Sequence, residues 1–429
     1  MIFTRLARTK GTASTLALAF VVATGAVAGM ATFEAPALAA KEPKAPKASY
    51  SKGFIAAYKP LQDLLQAAAP DVEAIKASLP AVLAAVETDD DRMAAGQAYV
   101  NASQKANDLS LAFQGLELML ASGKVPAENI GIYNFQAGQL AYKYEDYNKA
   151  RTYLQAALAA GYTSDNPETF IAESYFAEDR ITEGLAYLSG IIEQRRAAGQ
   201  TVDEAWIKRG LAIAYNDQLN AEAQKYATYY VTEYPSETSW RDAIAILLNT
   251  GGYENPEILD LLRLGRRAGT LNDGRLYMEY LDAADYRRLP GEVVAVVDEG
   301  RAKGLLPASD PYVNDTYAQA ATRSKADQAD MASLMRDARA ANATLRTVMG
   351  AADSLLSLGR PAEAEEFYAK AGTIAGADTA LTLTRLGVAQ FDQGKFAEAK
   401  ASFDKVTGIR QPIARLWSIY AEQKAKAPM

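Results

Sequence analysis

The chain has no cysteine and no histidine in its 429 residues, and this double absence removes whole classes of chemistry. Without cysteine there is no disulfide, no thiolate nucleophile, no thiolate metal site and no thiol for lipid attachment behind an exported leader. Without histidine, the commonest general base and the commonest metal-binding nitrogen are missing. The glycine-rich signatures are missing too. No G-x-S-x-G, G-x-x-x-x-G-K-[ST] or G-x-G-x-x-G occurs, so serine-hydrolase, P-loop and dinucleotide-binding readings have no support. Only carboxylate chemistry, or serine with lysine, is left. The expectation is a protein that is not an enzyme and uses neither metal nor cofactor.

A basic excess is also lacking. The formal net charge is −7, which argues against nucleic acid or an anionic membrane surface as the main partner. Past the first forty residues no run of apolar side chains is long enough to span a bilayer, so no integral membrane segment is expected once that region is removed. The start itself reads as a secretory leader. Arg5, Arg8 and Lys10 precede an Ala/Leu/Val run from Leu16 to Ala28, and Ala37-Leu38-Ala39 offers the small residues of a cleavage site. Residues 1–39 are therefore assigned to a signal peptide and the protein to a periplasm-like compartment. The competing reading is an uncleaved anchor, which Thr24, Gly25, Gly29, Thr32 and Pro36 weaken. Residues 40–52 alternate Lys41, Lys44, Lys47 and Lys52 with Pro43 and Pro46, the composition of a short basic tether.

What the chain does contain is a repeat. Near its end, Leu386-Gly387, Phe391, Gly394-Lys395-Phe396, Ala399, Phe403 and Val406 form two apolar stripes at helical spacing around a glycine-containing turn. The frame returns as Ala352, Gly359-Arg360-Pro361, Ala364, Tyr368 and Ala371, and again as Gly138, Tyr142, Tyr147, Ala150, Leu154 and Ala157. One position in the second stripe marks eight copies, at Ala150, Gly184, Ala223, Leu259, Val293, Ala329, Ala364 and Ala399, at intervals of 34 to 39 residues. A hairpin with such faces cannot bury them alone, and stacking on its neighbours supplies the core.

This pattern resembles the tetratricopeptide repeat, in which small residues at positions eight and twenty let two antiparallel helices approach and an aromatic at twenty-four fills the space between them. The resemblance covers residues 131–412 and implies an all-α, right-handed solenoid of about eight helix pairs. The Leu259 and Val293 copies lack the small residue at twenty and the Ala329 copy lacks the aromatic, so these pairs are expected to splay or kink. The longest interval absorbs an insertion around Arg195 to Asp203, read as a longer turn. Residues 53–125 read as degenerate helix pairs, broken into short pieces by Pro60, Pro70 and Pro80. Residues 413–429 read as a solvating end helix with Ile413, Leu416, Trp417 and Tyr420 on its inner face. The triplet Asp89-Asp90-Asp91 lacks the ligand spacing of a calcium loop and reads as a helix N-terminus.

The resemblance also implies a function: a scaffold or adaptor that holds a protein or peptide of the cell envelope. In such solenoids the first helix of each pair lines the concave side. That places Tyr142, Phe176, Tyr215, Asp285 and Phe391 at groove position twelve, with Gln139, Lys143, Glu173, Lys208 and Asn216 at polar groove positions. The Lys-and-Asn carboxylate clamp of some members is not intact, because Ala212 stands beside Lys208. Two alternatives remain. The 24 tyrosines suit a glycan-binding accessory, since aromatic faces stack on sugars as well as on peptides. Lytic transglycosylases share a helical superhelix, but the repeat here leaves no room for their catalytic domain.

Overall fold

The computed structural model describes residues 48–427, and every regular element among them is a helix. The expected signal peptide and most of the tether lie outside the described residues. The helices form two compact units that meet in sequence between Arg180 and Ile181. The first contains α1 (Lys52–Gln66), α2 (Val72–Ala84), α3 (Asp89–Ala106), α4 (Leu109–Ala121), α5 (Ala127–Lys143), α6 (Tyr147–Ala159) and α7 (Pro167–Ala177). The second begins with α8 (Ile181–Ala197), α9 (Glu204–Asn216), α10 (Asn220–Glu233), α11 (Glu237–Thr250), α12 (Asn255–Arg267), α13 (Gly274–Ala284) and α14 (Pro290–Ala302). It continues through α15 (Pro311–Arg339), α16 (Leu345–Ser357), α17 (Pro361–Ala371), α18 (Thr379–Phe391), α19 (Phe396–Phe403) and, after a short 3-10 turn, α20 (Gln411–Lys426).

Helix pairing follows a steric rule written in the sequence. A Cβ on Gly210 of α9 would stand 2.2 Å from the Tyr226 ring on α10, and one on Gly387 of α18 would stand 2.5 Å from Phe403 at the end of α19. Bare backbone at this position lets the ring lie flat on the partner helix. The reference position of the second helix is buried at Ala150, Gly184, Ala223, Leu259, Val293, Ala364 and Ala399. The turn between first and second helix follows a rule that composition hides. Its residue with positive φ is Glu145, Asp179, Gln218, Gly252, Asp285, Gly359 and Gly394 in successive copies. Only three of these are glycine, so four copies hold a strained left-handed residue that tertiary packing must offset.

The copy anchored on Ala329 departs from the expectation. It is not a hairpin: α15 runs unbroken for 29 residues, and Ala329 is exposed on it. Thr322-Arg323-Ser324-Lys325-Ala326-Asp327-Gln328 contains no glycine, proline or asparagine to stop a helix. Helix α14 consequently reaches α16 directly, with the Glu292 N–H donating to Ser357 Oγ at 2.9 Å.

Two further expectations are corrected. Pro60 and Pro80 do not break helices but sit inside α1 and α2, and only Pro70 lies between elements. Both internal prolines are exposed, so the carbonyl each leaves unbonded can face water. Helix α20 is not a solvating cap. Ile413, Leu416 and Trp417 have no exposed surface, and Ala414, Ser418, Ile419, Tyr420 and Ala421 are buried as well. Its partners lie far back in the chain: Gln423 Nε2 donates to the Val231 carbonyl at 2.6 Å, Tyr420 OH to that of Arg267 at 2.5 Å and Trp417 Nε1 to that of Asp260 at 2.9 Å. The last helix thus caps the C-terminal turns of α10 and α12, and the second unit closes on itself.

The aspartate triplet behaves as a helix start. Thr88 and Asp91 form a reciprocal capping box, and the buried Asp91 carboxylate also accepts from the backbone N–H of Ser51 and Glu87 at 3.0 and 3.1 Å. Burial pushes this carboxyl up, but its backbone donors prevail and hold it below the usual range.

Candidate functional site

The residues expected to line a groove fall on both units. On the first, Lys143 is exposed, while Gln139, Tyr142 and Glu173 are half-buried. Tyr142 meets the edges of Tyr147 and Phe170 at ring-centroid distances of 5.4 and 6.1 Å, so part of its face is spent on packing. Phe176 is buried, which corrects its place on an open aromatic ladder. On the second unit, Asn216 is exposed and Tyr215 half-buried at the end of α9. Lys208 is held by Glu204 at 2.5 Å and lies 5.4 Å from the centre of the Tyr230 ring. That hydrogen bond to Glu204, with one to Tyr230, raises its pKa. Phe391 is buried against Trp417 and Tyr420 and belongs to the core.

A surface that the sequence reading did not single out opens where the repeat loses its turn. Tyr286, between α13 and α14, faces Ala318, Gln319, Thr322, Arg323 and Ala326 on α15 across a cleft of 580 Å³. All five α15 residues are exposed and share one helix face. The opposite wall is a tight turn. Asp285 takes φ +52°, its carboxylate accepts the Arg287 N–H at 3.0 Å, and its carbonyl accepts those of Arg288 and Leu289 at 2.8 and 3.0 Å. Asp285, expected to face a groove, instead fixes the loop that presents Tyr286. The Arg287 guanidinium lies 5.4 Å from the centre of the Tyr286 ring, its Nε donating to the phenol oxygen at 3.3 Å. A missing turn signal between Ala318 and Asp327 is the feature through which sequence could have found this cleft.

The other concentration of charge lies inside the second unit around α12, where seven successive residues from Leu259 to Gly265 are buried. Asp260 accepts from Arg263 at 3.0 Å and Arg410 at 2.5 Å. Arg263 also grips Glu292 at 2.8 and 2.5 Å, and Tyr280 OH donates to the same carboxylate at 2.6 Å. Asp353 takes Arg385 at 2.7 and 2.8 Å and the Tyr368 hydroxyl at 2.7 Å. Burial pushes the Glu292 carboxyl up, but the charge and hydrogen bonds of Arg263 and the Tyr280 bond outweigh it and bring it down to about 2. Each of these carboxylates is spent on guanidinium groups, so the cluster has the form of a structural closure rather than an acid–base pair.

A tetratricopeptide-repeat family model matches residues 380–412, the stretch of α18, α19 and the following 3-10 turn. No curated protein matches the chain. Among solved structures, the crystal structure of the P58(IPK) TPR domain is similar at 14% identity and a TM-score of 0.23, over 87% of this chain and 98% of that one. The matched stretch is one tetratricopeptide copy, and the pair α9–α10 repeats its glycine–ring contact.

Proposed function

We propose that the chain is a non-catalytic scaffold of the cell envelope, exported by the leader at 1–39, that holds a protein or peptide segment. The observation that carries the reading is the cleft between Tyr286 and α15, an open surface with a ring, two amide or hydroxyl groups and a guanidinium, displayed by helices whose own cores are closed. No helix among the described residues is long and apolar enough to cross a membrane, which fits release after cleavage. The glycan alternative loses weight because the tyrosines are mostly buried or half-buried, with only Tyr50, Tyr144 and Tyr312 exposed among the described residues.

The test fills the cleft. The variant Thr322→Trp should abolish capture of the envelope partner by the full chain while leaving the melting temperature unchanged, since Thr322 is exposed. Undiminished capture would remove the cleft from the function. N-terminal sequencing of the osmotic-shock fraction should start at Ala40 or Lys41; full-length chain in the inner membrane would contradict export and release.

A further inference from the structure

The charges beside the cleft point to its partner. In a chain of net charge −7, arginines are mostly held by carboxylates, as Arg339 is by Glu366 at 2.8 Å and Arg360 by Glu363 at 2.6 Å. Arg287, Arg288 and Arg323 are among those that are not. All three are exposed, and none closes an ion pair with a carboxylate among the described residues, although Asp327, whose carboxyl burial pushes up, lies close enough for the Arg323 charge to counter part of that rise. Two of them bracket the Tyr286 ring, Arg287 against it and Arg323 across the cleft. Two exposed guanidinium groups on either side of an aromatic ring, one of them beside a rigid turn, are an arrangement for binding negative charge.

Resting on the cleft as the scaffold's binding surface, we propose that its partner is an acidic, extended peptide segment carrying an aromatic or aliphatic side chain. Its carboxylates pair with Arg323 and Arg287, because a planar guanidinium meets a carboxylate through two parallel hydrogen bonds. Its apolar side chain packs on the Tyr286 ring over the methyl floor of Ala318 and Ala326. Its backbone finds a donor and acceptor in the Gln319 amide and an acceptor in the Thr322 hydroxyl, whose own hydrogen already goes to the Ala318 carbonyl at 3.0 Å. A cleft of 580 Å³ holds a few residues of such a segment, whereas a bare anion would leave the ring and the alanine floor unused.

The experiment is fluorescence polarisation on the full exported chain with a labelled peptide alternating Asp or Glu with Phe or Leu, beside a twin bearing Asn and Gln. The acidic peptide should bind at least ten-fold more tightly than its twin and weaken with added salt. The pair Arg287→Gln with Arg323→Gln should lower affinity ten-fold or more at an unchanged melting temperature, and Arg336→Gln, on the same helix, should change nothing. Equal binding of the two peptides, no binding of the acidic one at about 1 mM, or unaltered binding by the double variant would each overturn the proposal. Equal competition by polyphosphate would reassign the site to anions in general, and self-association that the same double variant abolishes would reassign it to a second copy of the chain. If Thr322→Trp blocks partner capture while the arginine pair does not, the cleft stands as the scaffold surface and the acidic partner falls; if neither blocks it, both fall.

Discussion

The hairpin of α18 and α19 and the single helix α15 have the same place in the repeat and folded differently. Both have apolar residues at helical spacing, and both put an alanine at the reference position. At Gly394 the chain takes φ +74° and turns back, so Ala399 is sealed against its partner helix. Across the corresponding stretch of α15 nothing interrupts the helix, and Ala329 faces water. Hydrophobic period therefore says where a helix face will be, while turn chemistry says whether the chain doubles back. The cleft beside Tyr286 is the product of the second decision.

The largest effect that would sharpen this contrast comes from removing α20. In an open solenoid the loss of an end helix is local. Here it takes Trp417 from the Asp260 carbonyl and uncaps the Val231 and Arg267 carbonyls, so truncation before Gln411 should abolish cooperative unfolding of the whole second unit. A truncated chain that keeps its melting transition would show that the unit does not depend on closure.

Next is a matched pair of substitutions. Ala399→Arg places a cation where no surface is exposed and should cost about 4 kcal/mol or more, from overpacking and an unpaired buried charge. Ala329→Arg, at the same repeat position on an exposed face, should stay within about 0.5 kcal/mol of the parent. Comparable urea midpoints for the two variants would erase the distinction between hairpin and single helix.

Acid sets the third. Glu292 is held at about 2 in the folded chain against an ordinary value of 4.5. A depressed carboxyl contributes its full stability above pH 4.5 and loses it as pH falls from there toward 2, an amount on the order of 3 kcal/mol. Thermal melts of the parent and Glu292→Gln should therefore be furthest apart near neutrality and converge below pH 3. A constant gap across that range would assign the effect to packing.

The smallest effect tests the turns. Gln218 holds φ +57° where three later copies use glycine. Relief of left-handed strain in Gln218→Gly exceeds the added freedom of the unfolded chain, for a gain of about 0.5 to 1 kcal/mol. The same change at exposed Gln328, inside α15, should cost about 1 kcal/mol. Destabilisation at both positions would mean that the turn position carries no strain.

Much of the fold was legible because it rests on local rules. Gly387 and Phe403, or Gly210 and Tyr226, are recognisable as a gap and the ring that fills it without knowledge of any distant contact. The candidate site was less legible. Tyr142 and Phe176 have the residue types of a groove, but rings that stack on a partner and rings that pack on Tyr147 or Phe170 look alike in sequence. Arg287 and Arg323 could not stand out either, because a guanidinium's lack of a carboxylate is a fact about its surroundings.

By itself, then, the sequence determined the helices, their period, the glycine contacts that pair them and the absence of thiol and imidazole chemistry, all of which are set by residues within one repeat of each other. Only the tertiary structure decided that α20 returns to α10 and α12, that Asp260, Arg263 and Glu292 share one buried cluster with Arg410, and that α15 stands beside Tyr286 as the wall of a cleft. Those outcomes depend on contacts across as many as 192 residues, where the burial of each partner is set by the other, and no local pattern encodes which distant surface will be there to meet it.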